Sequence, residues 1–144
     1  MNACTFFGHR DAPEEIQPLL EQKIIDLICK GVKIFYVGNQ GAFDLMVIKT
    51  LEKISAEYSN IAASVVLAYM PKEKSKEMAY GIDTIFPNGL EKTPRKFAIY
   101  NRNIWMINNS DYVITYVKYI VGGASAFKEI AERKGKTVIS INHS

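Results

Sequence analysis

Cysteine, histidine and charge of one sign are all scarce in this chain. The only cysteines, Cys4 and Cys29, are well separated; they form neither metal-ligand spacing nor a disulfide framework and read as buried free thiols. The two histidines, His9 and His143, sit at opposite ends, which leaves little from which to build a His-based metal centre. No metal and no cofactor is inferred. No apolar stretch approaches about 18 residues, and the start lacks a charged segment leading into a long apolar run. A membrane span and a secretory leader are therefore not expected, and the cytoplasm is the expected location. Lys and Arg number 18 against 15 Asp and Glu, a net charge of +3, with no long run of like charge. That balance offers no electrostatic footprint for a polyanion, so nucleic acid is not expected as a partner.

What the chain does have is apolar patterning. At 144 residues and 48% hydrophobic it has enough material for one globular domain over residues 1–144. Ala3 to Phe7 and Val32 to Val37 are short apolar runs, each followed by glycine. Between them Ile16, Leu19, Leu20, Leu27 and Ile28 form a helical stripe that stops at Gly31. Phe43, Met46, Val47, Leu51, Ile54 and Tyr58 keep the spacing of a core-facing helix, and Ser64 to Tyr69 reads as a third strand ending at Pro71. Residues 72–93 carry turn signals and read as a loop or lid. Pro94 opens a helix carrying Phe97, Tyr100, Ile104 and Ile107. Tyr112 to Val117 is a fourth strand, residues 122–134 a last helix with Phe127, Ile130 and Ala131 inward, and Lys136 to Ile141 a fifth strand. Strand and helix alternate at the spacing of parallel crossovers, which predicts an α/β fold: a Rossmann-like three-layer sandwich with a mostly parallel sheet of about five strands.

Four polar segments begin where strands end: Gly8-His9-Arg10, the run from Gly38 through Asn39, Gln40 and Gly41 to Asp44, Arg102-Asn103, and Gly122-Gly123-Ala124-Ser125. In an open parallel sheet, the carboxyl ends of the strands share one edge, so these segments converge on one crevice suited to a phosphate-bearing small molecule. Gly38 to Asp44 either cradles an anion with the free N–H groups of a helix start or merely shapes a tight turn, with Asp44 favouring the helix dipole. Ser125 either caps the last helix or donates to a ligand. Arg10 needs an acidic partner or an anionic ligand for its planar fork. His9 is ambiguous between a loop role and a chemical one. Arg95 and Arg102 lie two helical turns apart; Arg95 reads as solvated, whereas Arg102 sits in a polar cluster with Asn101 and Asn103. Glu129 reads as a helix-surface glutamate unless it is buried beside Arg102, where it could act as acid or base. Tyr100, Trp105, Tyr112, Tyr116 and Tyr119 offer either a stacking surface or core packing.

TFFGHR, VGNQGAFD, FAIYNRNIWMINNSDYVITYV and GGASAFKEIAERKGKTVISI, in that order, resemble the SLOG superfamily, which includes DprA-like and LOG proteins, with closest likeness to the small DUF1273/YspA-like group. The resemblance covers nearly the whole chain. It implies a Rossmann-like sheet that binds nucleotides or nucleotide-derived ligands. LOG enzymes cleave an N-glycosidic bond with an arginine and the glutamate of a PGGxGTxxE motif. Gly122 and Gly123 match its glycines, Glu129 its glutamate, and Arg102, nine residues before Asp111, the arginine's offset. Val121 replaces the motif's proline, Ser125 a glycine and Ala126 the threonine, while Ala42 stands where YspA-type relatives usually have glycine.

The main expectation is thus a binding module that holds a nucleotide, ADP-ribose-like or NAD-related ligand for sensing or sequestration. Its ligand-binding residues are Gly8, His9, Arg10, Gly38, Asn39, Gln40, Gly41, Asp44, Arg102, Asn103, Gly122, Gly123, Ala124 and Ser125. The alternative is a nucleoside 5′-monophosphate phosphoribohydrolase with Arg102 and Glu129 as catalytic pair. DprA-like nucleic-acid binding ranks last because of the near-neutral charge. A homo-oligomer is expected, with the tyrosine-rich last third as its interface.

Overall fold

The computed structural model describes residues 2–70 and 80–141. Strand β1 (Ala3–Gly8) is buried along almost its whole length, as the near-continuous apolar run of a central parallel strand requires. Helix α1 (Gln17–Cys29) follows, entered through a short 3-10 turn at Glu14–Ile16, then β2 (Ile34–Val37), α2 (Gly41–Glu57) and β3 (Ala62–Val66). The short strand β4 (Asp83–Ile85) precedes α3 (Ala98–Asn108), β5 (Tyr112–Tyr116), α4 (Gly123–Arg133) and β6 (Thr137–Ser140).

The six strands form one sheet in the order β4-β3-β2-β1-β5-β6, and every neighbouring pair is parallel. From β1 the chain winds outward through β2 and β3 to β4, then returns to the other side of β1 to lay down β5 and β6. The reversal falls between β1 and β5, where the segments leaving the two strands turn to opposite faces and a crevice opens at their carboxyl ends. Helices α1 and α2 bury Leu20, Ile24, Phe43, Val47 and Leu51 against Phe6 and Phe35 on one face. On the other, α3 and α4 bring Met106, Ile107 and Ala131 onto Phe7, Val66 and Val113. The result is the expected Rossmann-like three-layer α/β fold.

Several expectations need correction. The sheet has six strands and is wholly parallel, because Asp83–Ile85, inside the segment read as a loop, pairs with Ser64, Val65 and Val66. Three residues with one partly polar face are too short for periodicity to register. Residues 72–79 of that segment, together with Pro71 and His143, lie outside the described residues. Strand β3 starts earlier than Ser64 and ends at Val66. Cys29 is exposed near the end of α1, whereas Cys4 is buried and its thiol is pushed far up by desolvation. Pro94 leads into a 3-10 turn at Arg95–Phe97 rather than directly into α3. Phe97 and Tyr100 are about half exposed, while Arg102 and Asn103 are buried. Helix α3 is therefore rotated relative to the apolar stripe, and it presents Arg102 and Asn103 of the polar cluster inward while Asn101 is exposed.

Candidate functional site

A cleft of about 470 Å3 lies at the carboxyl edge of β1, at the reversal point of the sheet. Four parts of the chain wall it: Gly8 to Asp11 after β1, Gln40 and Asp44 at the start of α2, the inner face of α3 with Ile99, Arg102, Asn103 and Met106, and Tyr119 with Val121 to Ala124 at the entry to α4. Phe127 closes the apolar side, stacked on Phe7 at 5.3 Å and touched by Tyr100 at 5.6 Å.

Arg102 dominates the cleft's electrostatics. It is 1% exposed, and its guanidinium is held by Nε donating to Asn103 Oδ1 at 2.7 Å and one terminal nitrogen, Nη1, donating to the Val66 carbonyl at 2.8 Å and to Asn39 Oδ1 at 3.3 Å. Nη2 has no protein acceptor among the described residues, and no carboxylate oxygen lies within 4.0 Å of the group there. Desolvation lowers the pKa of the guanidinium, and nearby Asp44 opposes that effect. A buried cation without a paired anion is an expensive arrangement for a fold to keep.

Asp44 is the second buried charge on the cleft wall. Its Oδ2 accepts the Gln40 backbone N–H at 2.8 Å, while Oδ1 has no donor among the described residues. Burial pushes its carboxyl up to about 6, against the opposing pull of the Gln40 N–H, Arg102 and Arg10. Gly38 separates it from Arg102: a methyl group there would stand 2.9 Å from Arg102 Cζ and 3.0 Å from Asp44 Oδ2. Gly41, at φ +87°, has the same function beside Arg10, whose Cα lies 2.9 Å from where a Cβ would be.

The first glycine turn is not an open anion cradle. Two of its N–H groups are already engaged, Gln40 N by Asp44 and Ala42 N by the Arg10 carbonyl at 2.9 Å. Gly38, Asn39 and Gly41 do not line the cleft. They act from behind it, Asn39 by bracing Arg102 and by donating to Tyr80 at 3.1 Å. The second turn is different. Gly122, at φ +110°, caps α4, and the first bond of that helix is Ala126 N to Gly122 O at 3.1 Å. The preceding N–H groups, on Gly123, Ala124 and Ser125, are the orphan donors that a helix start offers to an anion.

His9 is a strut. Its Nε2 accepts the backbone N–H groups of Lys118 at 2.7 Å and Tyr119 at 3.0 Å, which pins the β5–α4 loop to β1 and places the ring 4.7 Å from that of Tyr119. Arg10 is exposed at the mouth and donates to Gln40 Oε1 at 3.2 Å. Arg95 is exposed and sits over the Tyr69 ring.

Two residues fall outside the assembly. Ser125 donates its hydroxyl to the Ile120 carbonyl at 2.7 Å, and Glu129 pairs with Arg133 at 2.8 Å on the outer face of α4. Both line a separate shallow depression with Lys118 and Lys128. The Arg102–Glu129 catalytic pair is therefore not formed. The helical phase of α4 turns Glu129 to solvent while Ala131 faces the sheet. Asp11, Ile99, Val121 and Phe127 were not anticipated as lining residues. Asp11 and Val121 were marked only by standing next to Arg10 and Gly122, and Phe127 only as an inward residue of the last helix.

No family model matches the chain and no curated protein matches it. Among solved structures, the fold is similar to DNA processing protein A (DprA) from Streptococcus pneumoniae, with TM-score 0.68 and 17% identity over 100% of this chain and 51% of that one. It is also similar to DNA processing protein A from Helicobacter pylori, described for its unique single-stranded DNA binding mode, with TM-score 0.67 and 13% identity over 99% of this chain and 66% of that one. The chain thus spans between half and two thirds of each. These neighbours show a DprA-like fold, and they overturn the expectation that nucleic acid is not a partner. That expectation used net charge, an average over 144 residues, where the relevant quantity is the cationic character of one cleft.

Proposed function

We propose that residues 1–144 form a single binding unit, and that its cleft holds the phosphate backbone of single-stranded nucleic acid. The observation that carries this reading is Arg102: a buried guanidinium that has no paired carboxylate among the described residues, with one nitrogen, Nη2, unengaged among them, in a cleft that also receives the N-terminus of α4. A phosphate oxygen on Nη2 supplies the missing counter-charge, and the N–H groups of Gly123 and Ala124 reach the same anion from the opposite wall. Arg10 at the mouth extends the positive surface, and Tyr119, Phe127 and Tyr100 give bases an apolar flank. The likeness in fold to two DNA processing proteins supports the choice of nucleic acid.

A second reading stands beside it: a free nucleotide or nucleotide-derived ligand in the same cleft. Its volume of about 470 Å3 suits a single small molecule. The closer kinship to the DUF1273/YspA-like group belongs with this reading. Hydrolysis of the N-glycosidic bond draws no support from the geometry, because Glu129 faces away.

Fluorescence anisotropy with labelled oligothymidylate, competed by unlabelled oligonucleotide and by a panel of nucleoside phosphates including ADP-ribose, tests both. The expected result is saturable binding of the oligonucleotide, lost on Arg102→Met with the fold retained by circular dichroism. Displacement only by a mononucleotide would favour the second reading, and unaltered binding by folded Arg102→Met would remove the assigned site.

A further inference from the structure

Asp44 has no role in the binding scheme above, yet it occupies the wall where the anion is seated. It is 9% exposed, and its Oδ2 and the Arg102 guanidinium carbon both lie about 3 Å from the same point beside Gly38, so the two groups are at most about 6 Å apart. They are nonetheless not paired: no oxygen of Asp44 comes within 4.0 Å of an Arg102 nitrogen. Each retains one atom without a protein partner among the described residues, Nη2 of Arg102 and Oδ1 of Asp44. An ion pair split by a glycine and opened to a cleft admits a ligand between its halves. A phosphate that satisfies the arginine then meets a carboxylate.

Resting on the proposed function, we infer that an anion seated on Arg102 is accepted together with one proton on Asp44, so that occupancy of the cleft is proton-linked. The ionised carboxylate, buried in the cleft wall, repels the phosphate. The neutral acid removes the repulsion and turns Oδ1, or the hydroxyl in its place, into a donor to a phosphate oxygen. The proton comes from solvent and returns there on release. The groups facing Asp44 are Arg102 from α3, Arg10 from the segment after β1 and the Gln40 N–H from its own turn; His9 and Asp11 line the same cleft, and the α4 wall brings only Gly122, Gly123 and Ala124. Burial already raises the carboxyl to about 6, and a phosphate beside it raises it further.

Oligothymidylate with hydroxyl ends is a suitable probe, because neither its phosphodiesters nor its bases titrate between about pH 5 and 8. Wild type should lose affinity by up to about tenfold per pH unit above about 6. Isothermal titration in two buffers of different ionisation heat should count up to one proton taken up per site, a readout that needs no variant. Asp44→Asn should bind with little pH dependence and, near pH 8, more tightly than wild type. Binding by wild type that ignores pH, or a pH dependence that survives in Asp44→Asn, overturns the linkage and leaves the proposed function standing. Absence of binding by both proteins at every pH overturns the proposed function and the linkage with it.

Discussion

Arg102 and Asp44 show how a side chain's meaning depends on the company it keeps. In the sequence Arg102 was one of two arginines spaced along a helix, and only its asparagine neighbours set it apart. In the fold, Asn103 and Asn39 become acceptors that carry its donors, and Gly38 supplies the space for its guanidinium. Gly38→Ala forces a methyl group into that space, and overpacking of this kind typically costs about 1–3 kcal/mol. The expected outcome is a lower urea midpoint together with weaker oligonucleotide binding; unchanged values of both would show that Arg102 relocates freely. Asp44 gives a prediction of opposite sign. Its carboxyl rises to about 6 on folding from an ordinary 3.8. Below the lower value it is neutral in both folded and unfolded chains, and as pH climbs through the higher one the fold loses up to roughly 3 kcal/mol by keeping a buried charge. Asp44→Asn removes that loss. Thermal unfolding near pH 7.5 should show the variant melting above wild type, with the difference closing near pH 4; a variant that melts lower at both would contradict the sign.

At the scale of elements, the loop from β5 to α4 and the N-terminus of α4 form one wall of the cleft. His9 holds that loop by two backbone N–H groups, so His9→Ala should speed hydrogen exchange at Lys118 and Tyr119 while leaving the amides of β1 and β2 protected. Exchange that stays slow at those two amides would mean the loop has another anchor. Gly122 combines φ +110° with ψ 173°, a region essentially confined to glycine, and nothing lies within 4 Å of where its Cβ would be. Gly122→Ala therefore costs of order 1–3 kcal/mol through backbone conformation alone. The helices and central strands were legible in the sequence because their apolar periods repeat over several turns or run unbroken through the core. Strand β4 was not, since three residues carry no period and its pairing with β3 is a non-local choice. The rotation of α3 was hidden for a related reason: a helix with apolar residues on more than one side has two possible inward faces, and packing on Val66 and Phe7 selects the one bearing Arg102.

For the whole molecule, the six-stranded parallel sheet with its reversal between β1 and β5 places every cationic and N–H donor of the cleft along one rim. On the proposed function, the number of phosphates engaged is then small. With Arg102 and Arg10 as the cationic contacts, the logarithm of affinity should fall against the logarithm of salt concentration with a slope of about −1 to −2, given roughly −0.7 per phosphate for single strands. A slope several times steeper would place binding on a surface outside the cleft. Among the described residues no helix is long and apolar enough to cross a membrane.

The sequence by itself determined the fold class, the alternation that makes the sheet parallel, and the edge at which polar segments gather. These follow from local hydrophobic period and from glycine placement, which short stretches of chain encode unaided. Only the tertiary structure decided which members of those segments share a cleft. It brought Arg102, Asp44, Gln40 and the start of α4 together, turned Glu129 and Ser125 to another surface, and made His9 a strut. Those outcomes depend on helix rotation and on hydrogen bonds between residues dozens of positions apart, and no local pattern carries that information.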